Sequence, residues 1–217
     1  MLLRGMVIFL GLFCFVPATA SFAAVVEVTA FADPWLAGQT VVPPFGTTGT
    51  PWNGGPGSLP VAISVAGQKT ITLTATGLMD WAGSGCCLYI PPAGLPAGSW
   101  PDAVSVTSPF TTISGFNGPE LSLVGVFDAG SPWQVFYIGS GGSFSVPGDA
   151  TTLYLGVPDA VDLSGYAGAY SDNGGSYTVT YSMAATQVPE PSALGVLGFG
   201  LIIMAFVFRN KPTRREH

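Results

Sequence analysis

AGAYSDNGGSYTVTY, residues 167–181, passes from a turn-forming segment into strict alternation of hydroxyl and apolar side chains, and that alternation decides the fold class. A period of two puts Tyr177, Val179 and Tyr181 on one face and Ser176, Thr178 and Thr180 on the other, the pattern of a strand with one buried face. The first half of the stretch reads two ways. Asn173-Gly174 between strand-like runs is a hairpin signal, because both residues tolerate the positive φ of a type I′ turn. Asp172 and Asn173 are equally two adjacent oxygen donors.

Working outward, seven more runs share the pattern: VVEVTAF (25–31), LPVAISV (59–65), KTITLTATG (69–77), LSLVGVF (121–127), QVFYIG (134–139), GSFSVP (142–147) and TTLYLGV (151–157). Gly and Pro punctuate them, no stretch between carries a sustained helical repeat, and no internal repeat of fixed period stands out. Together with GSYTVTYS (175–182), they predict an all-β domain over residues 24–187, an antiparallel β-sandwich or barrel.

The two ends read differently. Residues 1–23 hold one basic residue, Arg4, an apolar run from Met6 to Val16, and the small-residue pairs Ala18-x-Ala20 and Ser21-x-Ala23, the three-part form of a signal peptide cut after Ala20 or Ala23. Residues 188–217 open with Val188, Pro189, Glu190 and Pro191 and continue through an uncharged, mostly apolar run at 192–208. They close on a basic end at 209–217 with Arg209, Lys211, Arg214 and Arg215. Seventeen residues lie at the short limit of a transmembrane helix, and the basic cluster after them predicts an inward-facing end.

Charge and residue inventory exclude several chemistries. The body carries ten acidic residues against one basic residue, Lys69, so nucleic acid is repelled and cations are favoured. The sole histidine is His217 at the far end of the chain, which closes off Ser-His-Asp and Cys-His catalysis and imidazole-based zinc sites. No phosphate-cradling glycine loop with a lysine occurs. A carboxylate pair of a glycoside hydrolase is a minor alternative, since nothing in the acid spacing selects a pair. Cys86 and Cys87 read as small loop residues, with a vicinal disulfide as the alternative. Oxygen ligands are abundant, and calcium is the cation they suit. Trp52, Trp81, Trp100, Tyr166 and Tyr170 are candidate rings for stacking on sugar faces, though packing is the commoner role of such rings.

The tail, with VPEPSALG before a glycine-rich apolar run and an arginine-rich end, resembles the PEP-CTERM sorting signal. The resemblance implies export in a Gram-negative bacterium and an inner-membrane-anchored precursor. It further implies recognition by an exosortase-type membrane protease and delivery to the cell surface or extracellular matrix. Within the body, LTATGLMDWAGS, LSLVGVFDAG with FYIGSGGSFSVP, and TTLYLGVPDA with AYSDNGGSYTVTY resemble the bacterial PA-I type calcium-dependent galactose-binding lectins. That resemblance implies a lectin-like jelly roll and a non-enzymatic protein that binds an extracellular polysaccharide or galactose-like glycan. It places a calcium ion on Asp159, Asp172, Asn173 and the main-chain carbonyls of Ala169 and Trp81. Two departures qualify it: a longer loop after Asp159, where Asp162 is a possible replacement ligand, and no match over residues 82–118, where such proteins choose their sugar. A structural matrix protein without a ligand is the alternative of a different class.

Overall fold

A computed structural model describes residues 23–43, 57–80, 89–95, 103–160, 163–185 and Gly198. The chain falls into two compact units, Met1–Ala185 and Thr186–His217. The expected signal peptide (apart from Ala23) and the sorting tail (apart from Gly198) lie outside the described residues, as do Trp52, Trp81, Trp100, Cys86, Cys87 and Asp162. Among the described residues no helix is long and apolar enough to cross a membrane.

The first unit is all-β. Its described strands are β1 (Ala23–Thr29), β2 (Val61–Ser64), β3 (Gln68–Asp80), β4 (Val104–Thr107), β5 (Phe116–Gly118), β6 (Val124–Phe127), β7 (Val135–Tyr137), β8 (Gly141–Ser145), β9 (Thr152–Gly156), β10 (Ser164–Tyr166) and β11 (Gly174–Ala185). Each of the eight alternating runs holds a strand. They form two antiparallel four-stranded sheets, in the orders β1-β11-β3-β8 and β2-β9-β6-β7.

Alternation explains how the sheets meet. Ile71, Leu73 and Ala75 of β3 and Tyr177 and Val179 of β11 point inward, against Ile63 of β2 and Leu153 and Leu155 of β9, in one continuous core. Burying these apolar faces between the sheets is the main stabilising term of the body. The intervening residues of β3 and β11 face out, and there the Thr72 and Ser143 hydroxyls lie 2.9 Å apart.

The architecture departs from a simple sandwich. β4, β5 and β10 form a third sheet, β10-β4-β5, in which β10 and β4 run parallel. A second core of Val104, Val106, Ile113, Trp35 and Leu36 packs on Val126, so all four residues of β6 are buried. β6 therefore serves both layers, which is why it reads Val-Gly-Val-Phe without polar alternation. Gly125 makes room there for its neighbour on β7, since a Cβ would come 2.7 Å from the Phe136 ring.

Candidate functional site

Four segments converge where β3 ends and β11 begins, at the Asp80–Gly174 pair. Ala30–Asp33 follows β1; its residues are tied to Gly175 by Ala30 N–H (3.1 Å), to Ser58 by Asp33 N–H (3.0 Å) and to Val157 by the Ala32 carbonyl (2.8 Å). Glu120–Leu121 lies beside Pro158 through the Leu121 N–H, 3.1 Å from its carbonyl. Asp159 is tied to Gly168, whose N–H donates to its carbonyl at 3.1 Å. The fourth segment is the 3₁₀ turn Tyr170–Asp172 with its flanks Ala169 and Asn173.

The hairpin reading of YSDNGG is wrong. Asn173 has φ −74° and ψ 157°, extended rather than left-handed, and β11 pairs with β1 and β3, not with β10. The left-handed residue is instead Ala169, at φ 66°. The reason is burial. Asn173 is only 5% exposed, and its amide is committed to the interior, where its Nδ2 donates to Asp159 Oδ2 at 2.7 Å and to the Ala30 carbonyl at 3.1 Å. Two acceptors on one nitrogen fix the orientation of the amide. Its Oδ1 is buried and without a hydrogen donor.

The acids around this amide are out of water and short of donors. Asp33 is fully buried; its Oδ1 accepts the Trp35 N–H at 2.9 Å and its Oδ2 lacks a donor. Burial pushes its carboxyl up to about 7; the Trp35 and Gly57 amides and the nearby Tyr170 hydroxyl pull the other way, and the charge of Asp159 adds to the rise. The Tyr170 hydroxyl itself donates to the Val157 carbonyl at 2.9 Å. Glu120, 2% exposed with Oε2 unsatisfied, is pushed up to about 8 by burial and then by the charges of Asp159 and Asp172. Asp159 is pushed up to about 7, first by burial and then by Asp172, against the pull of the Asn173 amide. The one basic side chain among the described residues, Lys69, sits eleven positions down β3 from Asp80, roughly 35 Å away along an extended strand.

The structure thus places the expected ligands unevenly. Asp159 and Asn173 are in direct contact. Asp172 is exposed and acts on Asp159 and Glu120 through its charge. The Ala169 carbonyl receives only a long 3.5 Å hydrogen bond from the Asp172 N–H, and Trp81 lies outside the described residues. Among the described residues no three His, Cys, Asp or Glu side chains stand close enough to hold a metal ion together. A cation here would depend on the Asn173 amide and on carbonyls for the balance of its ligands. Tyr170, a candidate sugar platform in the sequence, is 1% exposed and cannot stack on a ligand, whereas Tyr166 on β10 is 43% exposed.

Asp33 and Glu120 have no sequence signal as members of this group. Asp33 is the N-cap of the 3₁₀ turn Pro34–Leu36, a structural role visible in Asp-Pro alone, but its neighbours are distant in the chain. Gly57 completes the cluster, because a Cβ there would lie 2.2 Å from the Phe31 carbonyl oxygen and 2.8 Å from Asp33 Cβ.

The chain matches no protein-family model and no curated protein. Among solved structures it is similar to the EclA N-terminal domain, described as a PllA-like lectin, over 74% of this chain and 95% of that one, with 18% identity and a TM-score of 0.38. Similarity at that score identifies neither fold nor ligand.

Proposed function

We propose that the protein is an exported, non-enzymatic module that binds glycans with the help of calcium at the Asp159–Asn173 site. The observation that carries this reading is the Asn173 amide oxygen, buried and without a donor, on a side chain whose nitrogen donates to the Asp159 carboxylate, which has no basic partner nearby. Leaving such an acceptor unsatisfied costs about 1–3 kcal/mol, and desolvated carboxylates add to the imbalance. A calcium ion takes six to eight oxygens and would satisfy both. Asp159, Asn173 and the Ala169 carbonyl are the residues that would hold it, with Asp172 and the Trp81 carbonyl as the expected remainder, and sugar hydroxyls filling the open positions.

Delivery follows the resemblance of the tail: inner-membrane precursor, exosortase-type processing, then surface or matrix. Ala23 pairs with Ser182 in β1, so signal cleavage after Ala20 keeps the strand whole, and cleavage after Ala23 removes its first residue. Mass spectrometry of the surface form reads both cuts; a surface population retaining residues 209–217 counts against tail processing.

The test of the site is a calcium titration of the full-length chain, read as melting temperature, followed by glycan-array binding with and without chelator. Calcium at a hundredfold excess over its dissociation constant should stabilise the fold by about 2.7 kcal/mol. Asp159→Asn should lose most of that gain. A melting temperature indifferent to calcium across the millimolar range removes the site. Calcium stabilisation without sugar retention favours a structural matrix protein.

A further inference from the structure

The outer face of the β1-β11-β3-β8 sheet plays no part in either core or in the acid cluster. Every second residue from Thr70 to Thr76 on β3 and from Ser176 to Ser182 on β11 carries a hydroxyl, and all are exposed or half-exposed. The register places them side by side: Thr72 opposite Ser182, Thr74 opposite Thr180, Thr76 opposite Thr178. The Thr72–Ser143 contact extends the array onto β8.

Three properties narrow what such a face can hold. It carries little charge between Thr70 and Thr76: in a body with ten acids and one base, the acid beside these rows is Glu27, on the edge strand opposite Thr178, and the next along the same face of β3 is Asp80, beyond the exposed Leu78. An uncharged partner meets no repulsion here, whereas an anionic polymer is repelled by the acids of the body as a whole. The rows span seven residues, about 20 Å along the strands, too long for one sugar ring. Strands in a sheet twist relative to one another by about 20–25°, so the array suits a flexible chain that follows the strands rather than a planar crystal face such as ice. Threonine offers such a chain a donor, an acceptor and a methyl group at each step.

We infer that this hydroxyl face is a second, calcium-independent binding surface for a neutral polysaccharide chain laid along β3 and β11. It uses none of the residues of the acid site and stands or falls separately from it.

The experiment is affinity electrophoresis of the full-length chain, in a polyoxyethylene detergent, through gels containing a soluble β-glucan, a galactan, a mannan or alginate, each with calcium and with chelator. A fourfold variant, T72V/T74V/T178V/T180V, keeps side-chain shape and strand propensity while removing four hydroxyls. At least one neutral polymer should retard the wild type equally with and without calcium, and the variant should bind about tenfold more weakly or less. The melting temperature of the variant and its response to calcium report that it remains folded. If it does not, the pair Thr74→Ser and Thr178→Asp replaces it, with retention kept by the first and lost in the second. No retardation by any neutral polymer, equal retardation by alginate, retention unchanged in the folded variant, or retention abolished by chelator each overturns the inference. So does arrest of ice-crystal growth, or a face-dependent dimer, in the absence of polymer binding.

Discussion

Asn173 is required by its neighbours on two sides, since its amide nitrogen is the donor to both the Asp159 carboxylate and the Ala30 carbonyl. Asn173→Ala should therefore destabilise the protein by about 2 kcal/mol or more, because two buried acceptors lose their donor at once. Denaturant melts in chelator isolate that loss from any metal effect. Ala169 behaves oppositely. Its φ of 66° is strained for a residue with a Cβ, so Ala169→Gly should be neutral or stabilising by up to about 1 kcal/mol, against the usual sign of that substitution. A clear loss in the same melts means that the left-handed conformation is not strained. Asp172 and Asn173 were legible as a pair, but not their division of labour. Sequence order says they are adjacent; only burial says that one faces solvent and the other the core.

Strands long enough to alternate declare themselves, and those that do not were missed. β3 and β11 are thirteen and twelve residues long and carry period-two patterns over their middles, Thr70–Thr76 and Ser176–Thr180. By contrast, Phe116–Gly118 and Ser164–Tyr166 are three residues each, too short for any period, and β4 is four residues in a segment bounded by Pro101 and Pro109. Nothing local predicts that residues 104–107 and 164–166 run parallel. Loop chemistry at element ends is equally specific. The Asp128 carboxylate, just past β6, accepts the Thr151 and Thr152 amides at 2.7 and 2.8 Å and the Thr151 hydroxyl, tying β6 to the start of β9. Burial opposes ionisation there, but these donors outweigh it and hold the carboxyl below its ordinary range. Asp128→Ala should cost about 1–2 kcal/mol, while Asp128→Asn should recover part of it through its one remaining acceptor. Equal melts for wild type and Asp128→Ala rule out that tie.

At the scale of the molecule, the buried acids set the response to pH. Asp33, Glu120 and Asp159 hold their protons up to about 7, 8 and 7 in the folded state, whereas in the unfolded chain they release them near pH 4. The folded form thus binds more protons between those limits, and stability without calcium should fall as pH rises from about 4 to about 8, then level off. Melting temperatures measured across that range in chelator test the sign, and a rise toward pH 8 contradicts the burial of these acids. Calcium at pH 8 should reverse the decline if the proposed site exists, because a bound cation favours the ionised carboxylates.

Among the described residues β1 has a single neighbour in its sheet, and that neighbour is β11, the last described strand, paired from Ala23–Ser182 through Thr29–Ser176. A chain that emerges N-terminus first holds its opening strand without a partner until the closing one arrives, so the sheet is sealed by its most distant contact in sequence. Such late, long-range closure slows folding. It also makes the fold indivisible. A chain ended at Tyr166 lacks the partner of β1, the inner neighbour of β3 and the amide that steadies Asp159, and should show neither a cooperative melt nor a protected core. Completeness of the body is thereby checked at its final strand.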